Sequence, residues 1–271
     1  KASFSTALVR KCADFAIPLT MTLNTGYYVA TIKPDSKKYF TISYEQARRY
    51  YALSATTEHL MIAKEFAKGK LRNYCSFLKQ RYEAGMNQLL HELEERIAEI
   101  NQAVSVEQVR GYEGIAARGV YAYFRALLDG KHQDAFSFKT RNRKAGDRMN
   151  AFLNFAYYLL FSWINTTVRA LGLNPYLGFL HSDSNNYESL VCDIEELFRA
   201  RIDRLVIRCI NTRIIKPDDF YEKEGRYLLS RDGMKKFIAE FENELERKNA
   251  KNELSLKEEI HVQCQRVKDF F

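Results

Sequence analysis

The sequence predicts a mainly α-helical protein, with a helical domain over residues 45–271 preceded by a shorter β-rich part over residues 1–44. Three observations carry this. Only 12 glycines and 4 prolines interrupt 271 residues, which favours long helices. From about Ser43 onward apolar residues recur at helical spacing. Strand-like runs without that spacing, "IPLTMTLNT" and "GYYVATIKP", are concentrated before it.

In order, residues 5–16 read as a short helix behind a serine cap. The two strands follow, joined near Gly26. "YEQARRYYALSATTEHLMIAKEFAKGKLRNYCSFLKQRYE" is helical in spacing and has no proline. "AGMNQLLHELEERIAEINQA" continues as an amphipathic helix with a charged outer face. "SVEQVRGYEGIAARGVYAYFRALLDG" reads as a helix after a short one, ending at Gly130. Residues 131–148 form a basic loop with six Lys or Arg against two Asp. A buried helix over 149–171 stops at "GLNP", and a long helix runs from about Glu188 to Arg213. "KPDDFYEKEGRYLLS" reads as a turn and small hairpin, and two helices close the chain. No internal repeat or low-complexity tract is present.

Bulk properties narrow the function classes. Hydrophobic residues make up 46% of the chain, ample for a core. Lys and Arg total 42 against 34 Asp and Glu, a net charge of +8 that suits either a polyanionic partner or ordinary solubility. The five cysteines have no C-x-x-C spacing and their count is odd, which argues against a disulfide framework or zinc finger and fits a reducing cytoplasm. The apolar run "FLNFAYYLLFSWI" falls short of the roughly 20 residues that span a bilayer, so no membrane association is expected. The chain enters at Lys1, without methionine, directly on a helix pattern, so further residues upstream are expected. Walker, dinucleotide-glycine and nucleophile-elbow patterns are absent.

Four places stand out chemically. In the helix after Glu188, Leu190, Ile194, Leu197, Ile202 and Leu205 form a stripe, and Asp193 and Glu196 lie about 60° apart beside it. Such a pair reads either as solvated acids near a helix N-terminus or as two carboxylates sharing one metal or hydrogen-bond network. Glu195 points elsewhere and reads as an exposed bystander, and Cys192 reads as core. His181 ends the apolar "LGFL", either as a structural histidine or as a ligand folded over the next helix by the "SDSNNY" loop. Glu113 lies on the same helix face as Ala116, Ala117, Val120, Phe124 and Leu127. A core-facing carboxylate needs a partner or a metal, unless it sits in a first turn open to water. Carboxylates with one imidazole suit Mg²⁺ or Mn²⁺. Lys139, Arg141, Arg143, Lys144 and Arg148, between the Glu113 and His181 segments, read as a phosphate-binding loop or a solvated one.

Together these segments resemble the CRISPR spacer-acquisition integrase family, the first of the CRISPR-associated proteins. "GKLRNYCSFLKQR" resembles its K-x-x-N helix, with Lys70 and Asn73. "EGIAARGVYAYF" resembles its E-G-x-A-A-R-x-Y-F segment, with Glu113, Arg118 and Tyr121. "DRMNAFLNFAYYLL", with Asn150, "LGLNPYLGFLH" and "SLVCDIEELFRARIDRLVIRCINTRIIKPDDF" complete the likeness, which runs from about Ser43. Cys192 stands where a tyrosine is frequent, and Ala200 where a proline is common.

The resemblance implies a Mg²⁺ or Mn²⁺ held by Glu113, His181 and Glu196, with Asp193 as a supporting acid of the catalytic set. It implies a DNA integrase and endonuclease of CRISPR adaptation that joins 3′-hydroxyl ends of spacer DNA to the repeat. Lys70, Asn73, Arg118 and the basic loop are the expected DNA contacts. The implied partners are a second copy in a homodimer, DNA, the small ferredoxin-like second CRISPR-associated protein and a fused or associated reverse transcriptase. The implied location is the prokaryotic cytoplasm, and residues 1–44 are the later part of a β-rich dimerisation domain. The alternatives are a casposon-type transposon integrase and a non-enzymatic nucleic-acid-binding scaffold.

Overall fold

A computed structural model describes residues 3–15, 17–22, 28–32, 37–54, 56–79, 86–181, 187–248 and 253–271. The mainly α expectation holds: ten helices and two small antiparallel hairpins make up the described residues. Helix α1 (Thr6–Asp14) is capped by Ser5, whose side chain accepts from the Leu8 amide. Strands β1 (Leu19–Thr22) and β2 (Tyr28–Ile32) pair as expected, while their join near Gly26 lies outside the described residues. Helix α2 (Lys37–Leu53) starts ahead of Ser43 and runs through residue 44, where the sequence divides the chain.

The proline-free stretch that follows is interrupted where Thr56 accepts from the His59 amide and starts α3 (Thr57–Leu78). Then come α4 (Met86–Gln102) and α5 (Val106–Ala122). α5 is one helix from the Ser105 cap, and it stops at Ala122 rather than at Gly130. Two short 3₁₀ turns, Phe124–Leu127 and Gly130–His132, replace its expected continuation. Glu113 therefore sits in mid-helix, away from the free amides of a first turn. Helix α6 (Arg148–Ala170), capped by Asp147, is the expected buried helix.

The long helix expected over 188–213 is two: α7 (Ser189–Glu196) and α8 (Arg199–Asn211), broken at Leu197–Phe198. The break is held from outside. The Asn73 amide donates to the Leu197 carbonyl at 2.7 Å, satisfying a group that helix continuation would have used. The Leu197 side chain also lies where Gly69 has no Cβ: a methyl group there would come within 2.5 Å of it. Strands β3 (Phe220–Lys223) and β4 (Arg226–Leu229) form the expected hairpin, with Glu224 and Gly225 both at positive φ in its turn. Helices α9 (Arg231–Glu246) and α10 (Leu256–Phe270) close the chain, α10 behind a Ser255–Glu258 capping box.

Helices α3, α4 and α5 pack on one another, and α6 packs on α7 and α8. α3 also meets α7 and α8, so it joins the two groups. Among the described residues no helix is long and apolar enough to cross a membrane. The five cysteines are free thiols, with Cys192 buried as expected.

Between α6 and α7 the chain runs through residues 174–181, of which 177–180 are buried. Gly178 is required there: a Cβ would lie 2.6 Å from the Ser189 carbonyl carbon and 2.8 Å from the Leu190 nitrogen, both backbone atoms. Gly178→Ala should cost about 1–3 kcal/mol of stability as overpacking, read by urea unfolding.

Candidate functional site

Residues 174–181 have no regular secondary structure, so each buried polar group needs its own partner. Side chains supply most of them. Gln46, fully buried on α2, exchanges two hydrogen bonds with the Asn174 backbone. The Ser189 hydroxyl donates to the Tyr176 carbonyl and accepts from the Gly178 amide. Tyr50 donates to the Gly178 carbonyl, and His59 Nε2 meets the Phe179 carbonyl at 3.2 Å.

The end of the segment converges on Asp193. Its carboxylate accepts the amides of Phe179, Leu180 and His181 at 2.5, 3.0 and 2.9 Å. It also meets His181 Nδ1 at 2.8 Å. A carboxylate only accepts, so Nδ1 carries a proton toward Asp193 and Nε2 is turned to the side of Glu196. His181 is thus positioned by the residues before it and by α7; of the "SDSNNY" loop expected to fold it back, residues 182–186 lie outside the described residues.

Beyond His181 lies a cluster of paired charges that begins at Glu196. His181 Nε2 lies 4.0 Å from Glu196 Oε1. The Lys70 ammonium, on α3, is ion-paired to Glu196 Oε2 at 2.5 Å and to Glu113 Oε1 on α5. One cation therefore touches both carboxylates. Arg199, at the start of α8, places Nη1 2.9 Å from Glu196 Oε1 and Nη2 3.1 Å from Glu195 Oε2. Burial favours the neutral acid at Glu196, but Arg199 and then Lys70 reverse this and hold its carboxyl at about 2. Burial pushes the His181 imidazole down, yet the Asp193 hydrogen bond and charge, with Glu196, leave it raised overall. Lys70 is likewise raised, because Glu196 and Glu113 outweigh its burial.

Glu195 is not the exposed bystander expected. All eight residues of α7 are buried, so the helix has no solvent face to carry one. Glu195 is 3% exposed and paired with Arg199, and burial raises its carboxyl. Arg199 itself was not among the sequence candidates. Its signal was present, since it stands three and four residues after two acids, the spacing of helical ion pairs.

Behind Arg199 lies a second buried group. Its guanidinium sits 4.9 Å from the centroid of the Tyr157 ring. Tyr157 and Tyr74 each donate to Asp203 at 2.5 Å, and Tyr121 is 2.9 Å from Tyr157. Burial raises the Asp203 carboxyl from 3.8 to about 6, against the two tyrosine hydrogen bonds.

The expected DNA contacts separate into two sets. Lys70 is 2% exposed and enclosed in the site, and Asn73 is committed to the α7–α8 break. Arg141 binds Asn150 and Asn154 at 3.0 and 2.7 Å and lies over Tyr157, which ties the basic loop down to α6. Arg148 is half-buried over the Tyr227 ring. Lys139, Arg143, Lys144 and Arg118 are exposed. Beside His181 opens a groove of about 530 Å³, lined by Tyr50, His59, Ser105, Arg110 and Leu180 among others.

Among the described residues, no three His, Cys, Asp or Glu side chains stand close enough together to hold a metal ion as placed. The chemistry of the site nonetheless fits a hard divalent cation. Two carboxylates and one imidazole nitrogen suit Mg²⁺ or Mn²⁺. Glu196 Oε2 is buried and accepts no directed hydrogen bond, its Lys70 contact being an ion pair. A cation, Lys70, already lies between Glu113 and Glu196.

Two outcomes follow for the buried charges. Glu195→Ala strips Arg199 of one of its two carboxylates and should cost about 3 kcal/mol in urea unfolding. Asp203 is raised above its unfolded value, so its stabilising contribution is full below pH 4 and lost as pH rises to about 6. Across that window wild-type stability should fall by roughly 3 kcal/mol more than that of Asp203→Asn.

Comparison with known proteins identifies the family and the fold. The family model for CRISPR associated protein Cas1 matches residues 1–243. The CRISPR-associated endonuclease Cas1 of Leptospira interrogans is 33% identical over 192 residues, covering 68% of this chain and 76% of its own. The fold is shared, at a TM-score of 0.80 and 21% identity, with a chain of a Cas6-RT-Cas1–Cas2 complex, covering 98% of this chain and 29% of that one. It is also shared, at 0.78 and 22%, with a casposase bound to integration product, covering 97% and 75%. The family match over most of the length, with a relative at one-third identity, means that this chain belongs to the CRISPR associated protein Cas1 family.

Proposed function

We propose that this chain is a Mg²⁺- or Mn²⁺-dependent DNA endonuclease and integrase of CRISPR adaptation. It would join the 3′-hydroxyl ends of captured spacer DNA to the repeat by transesterification. The observation that carries the reading is that Glu113 and Glu196, from two helices, share one cation, Lys70, while His181 Nε2 stands 4.0 Å from the other oxygen of Glu196. The endonuclease name of the Leptospira relative supports the same class.

In this reading Glu113, His181 and Glu196 hold the divalent ion, and Asp193 keeps His181 in the tautomer that presents Nε2. The bound ion supplies positive charge that polarises the target phosphodiester and stabilises the charge developing on its oxygens. Arg199 keeps Glu196 ionised and oriented. The groove beside His181 admits the strand, and Lys139, Arg143, Lys144 and Arg118 steady DNA backbone without reading its sequence.

The reading extends to assembly. Residues 1–44 belong to a β-rich dimerisation part and 45–271 to the catalytic, DNA-binding part. A homodimer works with the small ferredoxin-like second CRISPR-associated protein in a prokaryotic cytoplasm. Association with a reverse transcriptase is supported by the fold shared with the Cas6-RT-Cas1–Cas2 chain. The casposase likeness keeps a transposon integrase as the second reading, with the same chemistry on mobile-element ends.

The test is joining of a 3′-hydroxyl oligonucleotide to a repeat-bearing plasmid in Mn²⁺. Wild type should give joined product, and His181→Ala and Glu113→Ala should each reduce it at least about a hundredfold while still binding DNA. A folded wild type that joins neither repeat nor mobile-element ends, and binds DNA as well as Glu113→Ala does, is instead the non-enzymatic scaffold.

A further inference from the structure

The Lys70 position is unusual for a residue type that is almost never enclosed. Its side chain is 3% exposed, and the ammonium bridges Glu113 and Glu196, which belong to different helices. The backbone beneath it is fixed. One residue before, Gly69 receives the Leu197 side chain, and three residues after, Asn73 holds the Leu197 carbonyl. The α3 main chain therefore cannot withdraw from the end of α7, whereas the four-carbon lysine stem can swing from a fixed root.

Charge counting shows why a cation is held there. Glu113, Glu195 and Glu196 face Lys70 and Arg199, three carboxylates against two permanent cations. Arg199 is divided between Glu195 and Glu196, so Lys70 is the one cation that also reaches Glu113 among these contacts. Without it, the half-buried Glu113 and the buried Glu196 would face each other with no cation between them. With a divalent ion on the same two carboxylates, the ammonium would be a like charge at contact distance.

We propose that Lys70 is an exchangeable built-in cation: its ammonium holds the Glu113–Glu196 pair together before a divalent ion arrives, and leaves at least one of the two carboxylates when the ion binds. This rests on the metal reading above and adds what it does not contain, a protein group that competes with the ion for its own ligands. The device keeps the site assembled without metal and sets its affinity for metal lower than the bare carboxylates would give. The displaced ammonium remains on α3 at the mouth of the same site.

The decisive measurement is Mn²⁺ binding by titration calorimetry and by loss of the free-ion paramagnetic resonance signal. Wild type, Lys70→Met and His181→Ala are compared. Lys70→Met should bind Mn²⁺ at least about tenfold more tightly, because a competing charge is gone. It should unfold at lower temperature than wild type without metal and recover most of that difference with it. A merely structural lysine gives the opposite sign: its loss scatters the carboxylates and weakens binding, and equal or weaker binding by folded Lys70→Met overturns the proposal.

Should Lys70→Met fail to fold, reductive methylation of the wild type followed by peptide mass spectrometry decides. Lys70 should be protected without Mn²⁺ and modified faster with it; Mn²⁺ binding that leaves its protection unchanged overturns the exchange. The two readings fail differently. Wild type that binds Mn²⁺ only when His181 is intact, with Lys70→Met no tighter, removes the exchange and leaves the metal site standing. Wild type and Lys70→Met that both fail to bind Mn²⁺ remove both.

Discussion

The site depends on how a buried, irregular piece of backbone satisfies its polar groups. Residues 174–181, of which 177–180 are buried, have no helix or sheet to pair with. The structure solves this with side chains fixed on neighbouring helices, and Asp193 takes the largest share by accepting three successive amides. Charge-assisted hydrogen bonds of this kind are stronger than neutral ones, and leaving the amides unpaired would carry a full desolvation cost. Because Asp193 also binds His181 Nδ1, satisfying the backbone and orienting the imidazole are one interaction. Gly178 belongs to the same constraint, since the segment comes so close to α7 that a methyl group would strike its backbone.

Above that segment, the charges are arranged so that each of the two buried cations touches two carboxylates. Lys70 links α3 to α5 and α7, and Arg199 binds two consecutive acids across the α7–α8 break. Burying ions singly is costly, and an alternating chain offsets that cost while fixing the distance between helices. Behind it, in the Tyr74–Asp203–Tyr157 group, burial lifts the Asp203 carboxyl while two tyrosine hydroxyls donate to it. Arg199 lies between these two layers, with the acids on one side and the Tyr157 ring on the other.

Much of this was legible in the sequence where local chemistry decides. The serine cap of α1, the small hairpin of β3 and β4 and the apolar α6 all follow from short-range preferences. The α7–α8 break was not legible, because the apolar spacing of Leu190, Ile194, Leu197 and Ile202 continues through it. What breaks the helix is Asn73, 124 residues away in sequence. The same long-range packing misled the reading of Glu195: a helical wheel supplies a solvent face, but α7 is buried all round. His181, Asp193, Glu196 and Glu113 were legible as residues, and the spacing of Arg199 after two acids was a signal left unread, yet the lysine that bridges Glu113 and Glu196 could be assigned to them only in three dimensions. Lys70 in particular looked like a surface cation, because nothing within α3 shows that Glu113 and Glu196 close over it.

The basic loop carries a consequence of its own. Asn150 and Arg141 tie it to α6: Asn150 takes the Asn142 amide and the Thr140 carbonyl, and Arg141 reaches Asn150 and Asn154. The loop has the composition of a flexible tail but is laced down along much of its length. A mobile cationic loop loses conformational freedom each time it settles on a polyanion, and that loss subtracts from affinity. Here much of the ordering is completed when the protein folds. The exposed Lys139, Arg143 and Lys144 stand on a preorganised support, so the entropic penalty of a polyanion's arrival falls mainly on their side-chain rotamers and on the arriving strand.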